Sequence, residues 1–328
     1  MDTDIAMEPH MELRTESKPE RRWNYFKHQL IERFGATVYK VGVDAGFDCP
    51  NRDGTKAYGG CAYCSQEGSL APNQNPSLAI AGQIQKGIAF TKKRYKAQKH
   101  IVYFQAFTNT YAPVETLKER FEAALIDPDI VGLSVASRPD CINEENVKYM
   151  AELASRLDYF TVELGLQSAH QNRLEWVNRQ EGTADYIKAM KLLNEYKIPV
   201  ITHVILGFPE ETRQDMVDTV RLAEDCKTFG IKLQMLHVIK RTKLEHIYHK
   251  NNYKLMEMLE YGELVVDLIE RIDPKIEIHR ITGETAKPDL VAPDWVTDKS
   301  KFFDWFHKEL ERRDTWQGKY TWDSMPLG

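Results

Sequence analysis

The chain has no long apolar run, few cysteines and no marked excess of either charge, and each absence removes a class of protein. No segment of its 328 residues approaches the ~18 apolar residues of a membrane helix. Five cysteines, an odd count, argue against a disulfide framework. With 44 Lys+Arg against 49 Asp+Glu the net charge is −5. The surface as a whole is therefore no nucleic-acid coat, although a local basic patch stays open. There is no internal repeat and no low-complexity tract. Residues 1–22, MDTDIAMEPHMELRTESKPERR, lack the apolar centre of a secretory signal. They read as a disordered polar arm, and the protein as cytoplasmic. What is left, 42% hydrophobic and 28% charged, is an ordinary globular composition, long enough for a full core.

The cysteines divide three and two. Cys49, Cys61 and Cys64 fall within DCPNRDGTKAYGGCAYCSQ as C-x11-C-x2-C, while Cys141 and Cys226 stand alone. A structural zinc site usually needs four protein ligands. Three thiolates can hold three irons of a [4Fe–4S] cluster and leave the fourth iron open to a small molecule. Pro50, Gly54, Gly59 and Gly60 give the intervening segment a composition that can wrap a bulky cluster. At this point zinc with a distant fourth ligand stays open beside the cluster.

Short β-type runs then alternate with helical stretches. Strands are expected over 38–43, 101–106, 131–136, 159–165, 200–206 and 232–238, and helices over 77–98, 114–126, 144–156, 184–196, 212–229 and 255–272. Asn143 and Thr212 are helix caps, the latter with Asp215 three residues on. Pro113 opens a helix, Gly230 follows one, and Asp127–Pro128 breaks the chain before the third strand. Six βα units imply a parallel sheet with helices outside, as a partial (βα)6 TIM-like barrel over 23–272. Residues 273–328, including aromatic WVTDKSKFFDWFHKEL, form an extension packed on its open side or bottom.

Strand parity points to a lined cavity. In DYFTVELGLQS, Phe160, Val162, Leu164 and Leu166 share an apolar face, and Thr161, Glu163, Gly165 and Gln167 share the other. An ordinary barrel interior is filled by bulky branched residues. In the fifth strand His203 falls on the face of Ile201, Ile205 and Gly207, and in the second Gln105 lies on the opposite parity to Val102, Phe104 and Ala106. The expected C-terminal strand ends carry Cys49–Cys64, Gln105–Asn109, Ser137–Asp140, Gln167–Ser168 and Gly207–Glu210, and in this fold that face gathers the active site.

These residues resemble the radical S-adenosylmethionine (SAM) superfamily. The three-cysteine loop with an aromatic inside CAYC carries the likeness, although the commonest family spacing has three residues where this chain has eleven. The longer spacing, with SRPD at 137–140, VELGLQS at 162–168, HVILGFPEET at 203–212 and VIKRTKLEH at 238–246, is similar to the branch around the catalytic subunit of the elongator complex. Within it the chain resembles the compact bacterial YhcC/YtqA-type (MnmL-like) group, whose relatives are linked to wobble-uridine side chains of tRNA. The resemblance implies that Cys49, Cys61 and Cys64 hold a [4Fe–4S] cluster whose open iron chelates SAM. Reductive cleavage then yields a 5′-deoxyadenosyl radical. It places Tyr63 by the adenine, Glu163 and Gln167 by the ribose or methionine, and Gly207 and Pro209 beside the adenine, with His203 among the cofactor-binding residues. The family's GGE motif is replaced by QAFTNT, so Gln105, Thr108 and Asn109 stand in for it.

Towards substrate, Arg138 can hold a carboxylate or phosphate, or close the barrel mouth by a salt bridge. Cys141 lies near the same mouth as a hydrogen-atom donor, a substrate-adduct site or a buried thiol, Cys226 reads as structural, and His246 and His249, one helical turn apart, as a metal pair or a solvated face, the latter preferred. Residues 86–100, KGIAFTKKRYKAQKH, hold six Lys/Arg and no acid. Lys92, Lys93, Arg94 and Lys96 on this run form a basic patch for tRNA, joined by Arg241 and Lys243, or else a solvated helix face. A radical SAM enzyme acting on tRNA is the first reading, one acting on a protein or small metabolite the second, and a non-enzymatic zinc module the third. The first two imply an electron donor such as flavodoxin or ferredoxin, and no membrane.

Overall fold

The computed structural model describes residues 13–14, 17–65, 68, 76–251 and 253–324. Much of the arm expected over 1–22 lies outside them. Its described end is tied down: the Arg22 guanidinium donates to the Thr315 carbonyl at 2.8 Å, and Gln317 N–H donates to the Arg22 carbonyl at 2.8 Å.

A short helix α1 (Phe26–Phe34) precedes strand β1 (Val38–Val43). The chain continues through α2 (Ile80–Tyr95), β2 (Lys99–Phe104), α3 (Val114–Glu122), β3 (Ile130–Ser137), α4 (Glu144–Ala154) and β4 (Tyr159–Gln167). Then come α5 (Gln171–Trp176), α6 (Thr183–Glu195), β5 (Val200–Leu206), α7 (Arg213–Asp225), β6 (Gly230–Met235), β7 (Val238–Ile239), α8 (Lys243–Asn251) and α9 (Met258–Ile269). Finally β8 (Glu277–Arg280), β9 (Leu290–Ala292) and α10 (Lys299–Arg312) follow. β1 to β6 and β8 form one parallel sheet in that order, and β7 pairs antiparallel with β9. The expected partial barrel is present, with all six strands. It gains a seventh, because β8, from the segment read as an extension, hydrogen-bonds to β6. EIHR is too short and too charged to announce a strand.

Sequence and position explain the layers. Val, Ile and Leu on the outward parity of each strand pack under the helices in one large core that includes Phe104, Val135, Val162, Leu164 and Leu206. Asn143 and Thr212 cap α4 and α7 through reciprocal side-chain bonds, as their sequence predicts. Gly230 does not end a helix. It opens β6, where a Cβ would press on the His279 ring and the Glu277 carbonyl across the β6–β8 pair. Lys227, in a left-handed conformation, makes the turn instead. α1 packs against both edge strands, β1 and β8, and so bridges the open side. Its Leu30, with flanking Phe26 and Phe34, joins Val38, Ile101, Val131 and Tyr159 in a separate apolar cluster, which floors the barrel at the strand N-termini.

Gly132 is the tightest point of the sheet. A Cβ there would fall inside the Tyr159 carbonyl oxygen, a backbone atom that cannot turn away. Gly132→Ala is expected to cost about 2–4 kcal/mol through forced strand separation. Urea unfolding of the purified variants tests this, with Gly82→Ala, whose site on α2 is open, as the control.

Candidate active site

The loop after β1 is held by its own backbone and by cations. Arg52 and Asp53 N–H groups donate to the Cys49 carbonyl at 2.8 and 3.2 Å, and Gly60 N–H to the Asn51 carbonyl at 2.8 Å. Gly54, Gly59 and Gly60 all take positive φ, a conformation that glycine adopts without strain. All three cysteines are free thiols, Cys49 and Cys61 buried and Cys64 half-buried. The sulfurs of Cys61 and Cys64 face donors. Asn51 Nδ2 points at Cys61 Sγ (3.5 Å), Arg179 Nη1 at the same sulfur (3.9 Å), and Arg52 Nη2 at Cys64 Sγ (3.3 Å). N–H donors of this kind are the outer contacts that orient thiolate ligands around a metal group. Among the described residues no three His, Cys, Asp or Glu side chains converge as the ligands of one ion would. Thiolates that each take a different iron surround a cluster rather than meet at a point. Three soft sulfur donors with N–H···S contacts fit an iron–sulfur cluster held through three of its irons.

A buried ionic rim ties this loop to the barrel mouth. Arg138, after β3, makes a two-point contact with Asp140 (2.9 Å each) and lies 3.2 Å from Glu181. Arg179 pairs with Glu181 and donates to Tyr63 Oη (2.7 Å) and to the Gly165 carbonyl (2.8 Å). Lys56, from the cysteine loop, meets Asp140 at 2.6 Å. Burial pushes Glu181 up to about 7 against the pull of Arg179 and Arg138. For Asp140 burial acts in the same sense, but hydrogen bonds from Arg138 and Glu181 with the Arg138 charge outweigh it and hold the carboxyl below its usual range. Arg138 thus takes the mouth-closing salt bridge of the two roles its sequence allowed. Arg179 and Glu181 were not legible, since NRQEG has no periodicity and matches no motif.

The strand ends sort into anchors and open acceptors. Asn109 Nδ2 donates to three carbonyls, Phe104, Ala106 and Ala136, at 3.0–3.1 Å. Its amide nitrogen thereby laces β2 to β3, while its Oδ1 stays buried without a partner. Thr108 is buried, and Gln105 half-buried at the end of β2. Gln167 ends β4 beside a register shift, at φ 64°, with its buried Oε1 unpartnered. A non-glycine residue in that region carries strain, and bulges re-aim side chains next to active sites. Gly165 leaves room for the side chains of both Gln167 and Arg179. After β5, Gly207 turns at φ 86°, and the Gly207 and Phe208 N–H groups donate to Glu211 Oε2 at 2.7 and 3.0 Å. Half-buried Pro209 follows in the same turn. Tyr63 packs into an apolar cluster with Ala62, Val177, Phe208 and Leu244.

Below the mouth, Glu163 is the hub of the interior. Its Oε1 accepts from Lys40 (2.6 Å) and Ser134 (2.9 Å), and its Oε2 from Tyr103 (2.8 Å), Lys232 and His203, the last at 2.6 Å. Five donors fill the roughly four lone-pair positions of a carboxylate. Burial alone would raise its pKa, but the Lys232 and Lys40 charges and the His203 hydrogen bond together hold it well below the usual range. Burial pushes Lys232 down to about 7 and His203, beside that lysine, to about 4. Glu163 and His203, expected at the cofactor, instead face each other within this network. The inward polar parity that marked them is correct, and it serves the interior.

The remaining expected residues fall in three places. Cys141 is half-buried near the mouth, its thiol pushed up by burial and by Asp140. Cys226 caps α7, and His246 and His249 are exposed on α8. Lys92, Lys93 and Arg94 end α2 and Lys96 caps it, just before β2 begins. That is the floor end of the barrel, opposite the cysteines, and Lys92 pairs with Asp129 at 2.7 Å. No helix among the described residues is long and apolar enough to cross a membrane.

Residues 51–223 match the radical SAM superfamily, and residues 228–312 match the radical SAM C-terminal domain. The uncharacterized protein YtqA of Bacillus subtilis is 40% identical over 93% of this chain and 94% of its own length. A Methanocaldococcus jannaschii protein named tRNA uridine(34) acetyltransferase is 28% identical over 56% of this chain and 33% of its own. Among solved structures, archaeal Methanocaldococcus infernus Elp3 superposes with a TM-score of 0.65 at 17% identity, over 86% of this chain and 64% of that one. It shares the fold.

The hub sets a pH-dependent stability. Above its ordinary value of 4.5, ionised Glu163 contributes fully, and the contribution is lost as pH falls through its depressed native value. Glu163→Gln is expected to cost about 3–5 kcal/mol near pH 7, because buried Lys232 and half-buried Lys40 lose their counter-ion. The gap to wild type should narrow below about pH 4.5. Chemical denaturation across pH 3–8 measures both, and a gap independent of pH would contradict an ionised hub.

Proposed function

The chain belongs to the radical SAM superfamily, and from that premise we propose that it is a tRNA-modifying enzyme acting on the wobble-uridine side chain. The family's cofactors are a [4Fe–4S] cluster and SAM. When bound, the cluster supplies the electron that cleaves SAM reductively. In our reading Cys49, Cys61 and Cys64 hold the cluster, and Asn51, Arg52 and Arg179 steady the sulfurs with N–H donors. Tyr63, fixed by Arg179, packs by the adenine, with Gly207 and Pro209 shaping the backbone beside it. Gln167 Oε1 and Asn109 Oδ1, buried and unpartnered, offer acceptors at the strand ends, next to Gln105 and Thr108. Glu163 and His203 position the lumen wall rather than touch the cofactor. Arg138 and Cys141 line the substrate side of the mouth. A one-electron carrier, flavodoxin or ferredoxin, supplies reducing equivalents.

The observation that carries the tRNA reading is the shared stretch with a relative named for tRNA uridine(34), covering more than half of this chain. The basic end of α2 supports it in a limited way. It lies at the floor, so a long polyanion could touch it while presenting one flipped base at the mouth, a span closed to a small metabolite.

Three outcomes test this. Anaerobically reconstituted protein should bind about four iron and four sulfide. Cys49→Ala, Cys61→Ala or Cys64→Ala should abolish that content, while Cys226→Ala keeps it. Stoichiometric zinc in wild type would sink the reading. Nucleoside mass spectrometry of tRNA from a deletion strain should show a changed wobble-uridine side chain. An unchanged nucleoside profile beside an altered metabolite pool would move the substrate to a small molecule. Replacing Lys92, Lys93, Arg94 and Lys96 by Glu should weaken tRNA binding and flatten its salt slope with cluster content intact; unchanged binding at every salt concentration would make the α2 run a solvated helix face.

A further inference from the structure

We propose that the loop between Cys49 and Cys61 is a stacking platform for an unpaired nucleobase of the RNA, with Tyr58 as the platform and Lys243 and Arg241 as its phosphate contacts. The proposal rests on the tRNA reading above and gives it a surface at the mouth.

Tyr58 is 77% exposed, against 51% for Leu259, the next most exposed large apolar side chain among the described residues. An aromatic ring left in water is ordinary on a floppy tip, but this one is seated. Asp53 and Tyr58 form an antiparallel bridge, closed by Gly54 N–H donating to the Ala57 carbonyl at 3.2 Å. A Cβ on Gly54 would stand 2.5 Å from Tyr58 Cζ, so the ring lies against the bare Cα of a glycine at φ 92°. The phenol end of the ring therefore rests against backbone while most of the side chain is exposed to solvent. The small hairpin is clamped on both flanks. Tyr111, beyond β2, donates to Asp53 Oδ2 (3.0 Å) and bonds Thr55 Oγ1 (2.8 Å). Lys243, at the start of α8, donates to the Tyr58 carbonyl (3.0 Å), and its ammonium crosses Gly59, where a Cβ would come within 2.9 Å. Two glycines of the long cysteine spacing thus make room, one for an aromatic ring and one for a cation.

The charge beside the ring has the matching sign. No carboxylate among the described residues lies within ion-pair distance of Lys243, and Arg241, two residues earlier, is 73% exposed while 3.4 Å from Asp289. An exposed aromatic ring on an anchored hairpin, beside the Lys243 ammonium and the exposed Arg241, suits a base and its phosphate. The platform is also close to the chemistry: Tyr58 stands three residues before Cys61, and Leu244 N–H donates to the carbonyl of Ala62 at 2.8 Å. The floor patch on α2 cannot fill this role, since it lies at the other end of the strands.

The test uses the full-length, reconstituted protein and a fluorescein-labelled anticodon stem-loop, read by anisotropy across a salt series. Tyr58→Ala should raise Kd about tenfold, within the range for losing one base–aromatic stack, while Tyr58→Phe and Tyr58→Trp stay within about twofold of wild type. Lys243→Gln should reduce the slope of log Kd against log salt by roughly one phosphate contact. Iron content is measured on each variant, so that a collapsed loop is not mistaken for a lost stack; Tyr58→Phe with wild-type iron and wild-type affinity supports the platform. If wild type binds the stem-loop and Tyr58→Ala binds it equally well, the platform is wrong and the tRNA reading stands. If wild type binds no RNA at any salt concentration, the tRNA reading fails and the platform with it. If Tyr58→Ala keeps RNA affinity but slows reduction by flavodoxin and not by dithionite, the surface belongs to the electron donor and the proposal is overturned.

Discussion

One buried carboxylate organises the interior of this barrel. Glu163 accepts hydrogen bonds from side chains on β1, β2, β3, β5 and β6, so a single charge is shared by all six strands of the expected barrel when its own β4 is counted. A charge at that depth is tolerable only if every lone pair is used. The consequence is geometric. Strand order, shear and the inward parity of Lys40, Tyr103, Ser134, His203 and Lys232 must all agree for the hub to close, and Lys40 and Lys232 both lie about 5 Å from the centroid of the Tyr103 ring. An apolar filling would tolerate small slips of register, whereas this network does not. Beneath it α1 closes the strand N-termini with an apolar cluster of Leu30, Val38, Ile101, Val131 and Tyr159.

Above the hub a second ionic system controls the mouth. Arg138, Asp140, Arg179 and Glu181 are mutually paired and nearly dry, and through Lys56 and Tyr63 they grip the loop that carries the cysteines. Short-range chemistry explains why this loop can be long. Glycines at positive φ let it double back, and backbone hydrogen bonds close each turn, so eleven residues between Cys49 and Cys61 are ordered rather than slack. The arrangement separates duties: the hub fixes the wall and the rim fixes the loop, while Asn109 Oδ1 and Gln167 Oε1 stay buried without a partner at the strand ends.

The alternation of strands and helices was legible because β-branched runs and capped helices are local signals, and Asn143 and Thr212 cap as their sequence predicts. The inward row Thr161, Glu163, Gly165 and Gln167 was legible from period-two parity alone. What parity could not tell was whether those groups face a ligand or one another. Lys40 and Lys232 look like ordinary solvated lysines in sequence, and only the folded sheet brings their ammoniums onto Glu163. β8 escaped notice because a four-residue strand of alternating charge has no periodicity, and Arg179 and Glu181 because partners distant in sequence define them. The basic run lies on a helix, as its sequence suggests, and the βα connection carries its charged end to the floor, away from the cysteines.

The central claim is that Cys49, Cys61 and Cys64 hold a four-iron cluster with one iron left for SAM. Mössbauer spectroscopy of the iron-57 reconstituted protein, before and after addition of SAM, tests it most directly. The account predicts that one iron of the four changes its parameters on addition of SAM while three keep thiolate-type values. Four irons that stay indistinguishable and unmoved by SAM would contradict it.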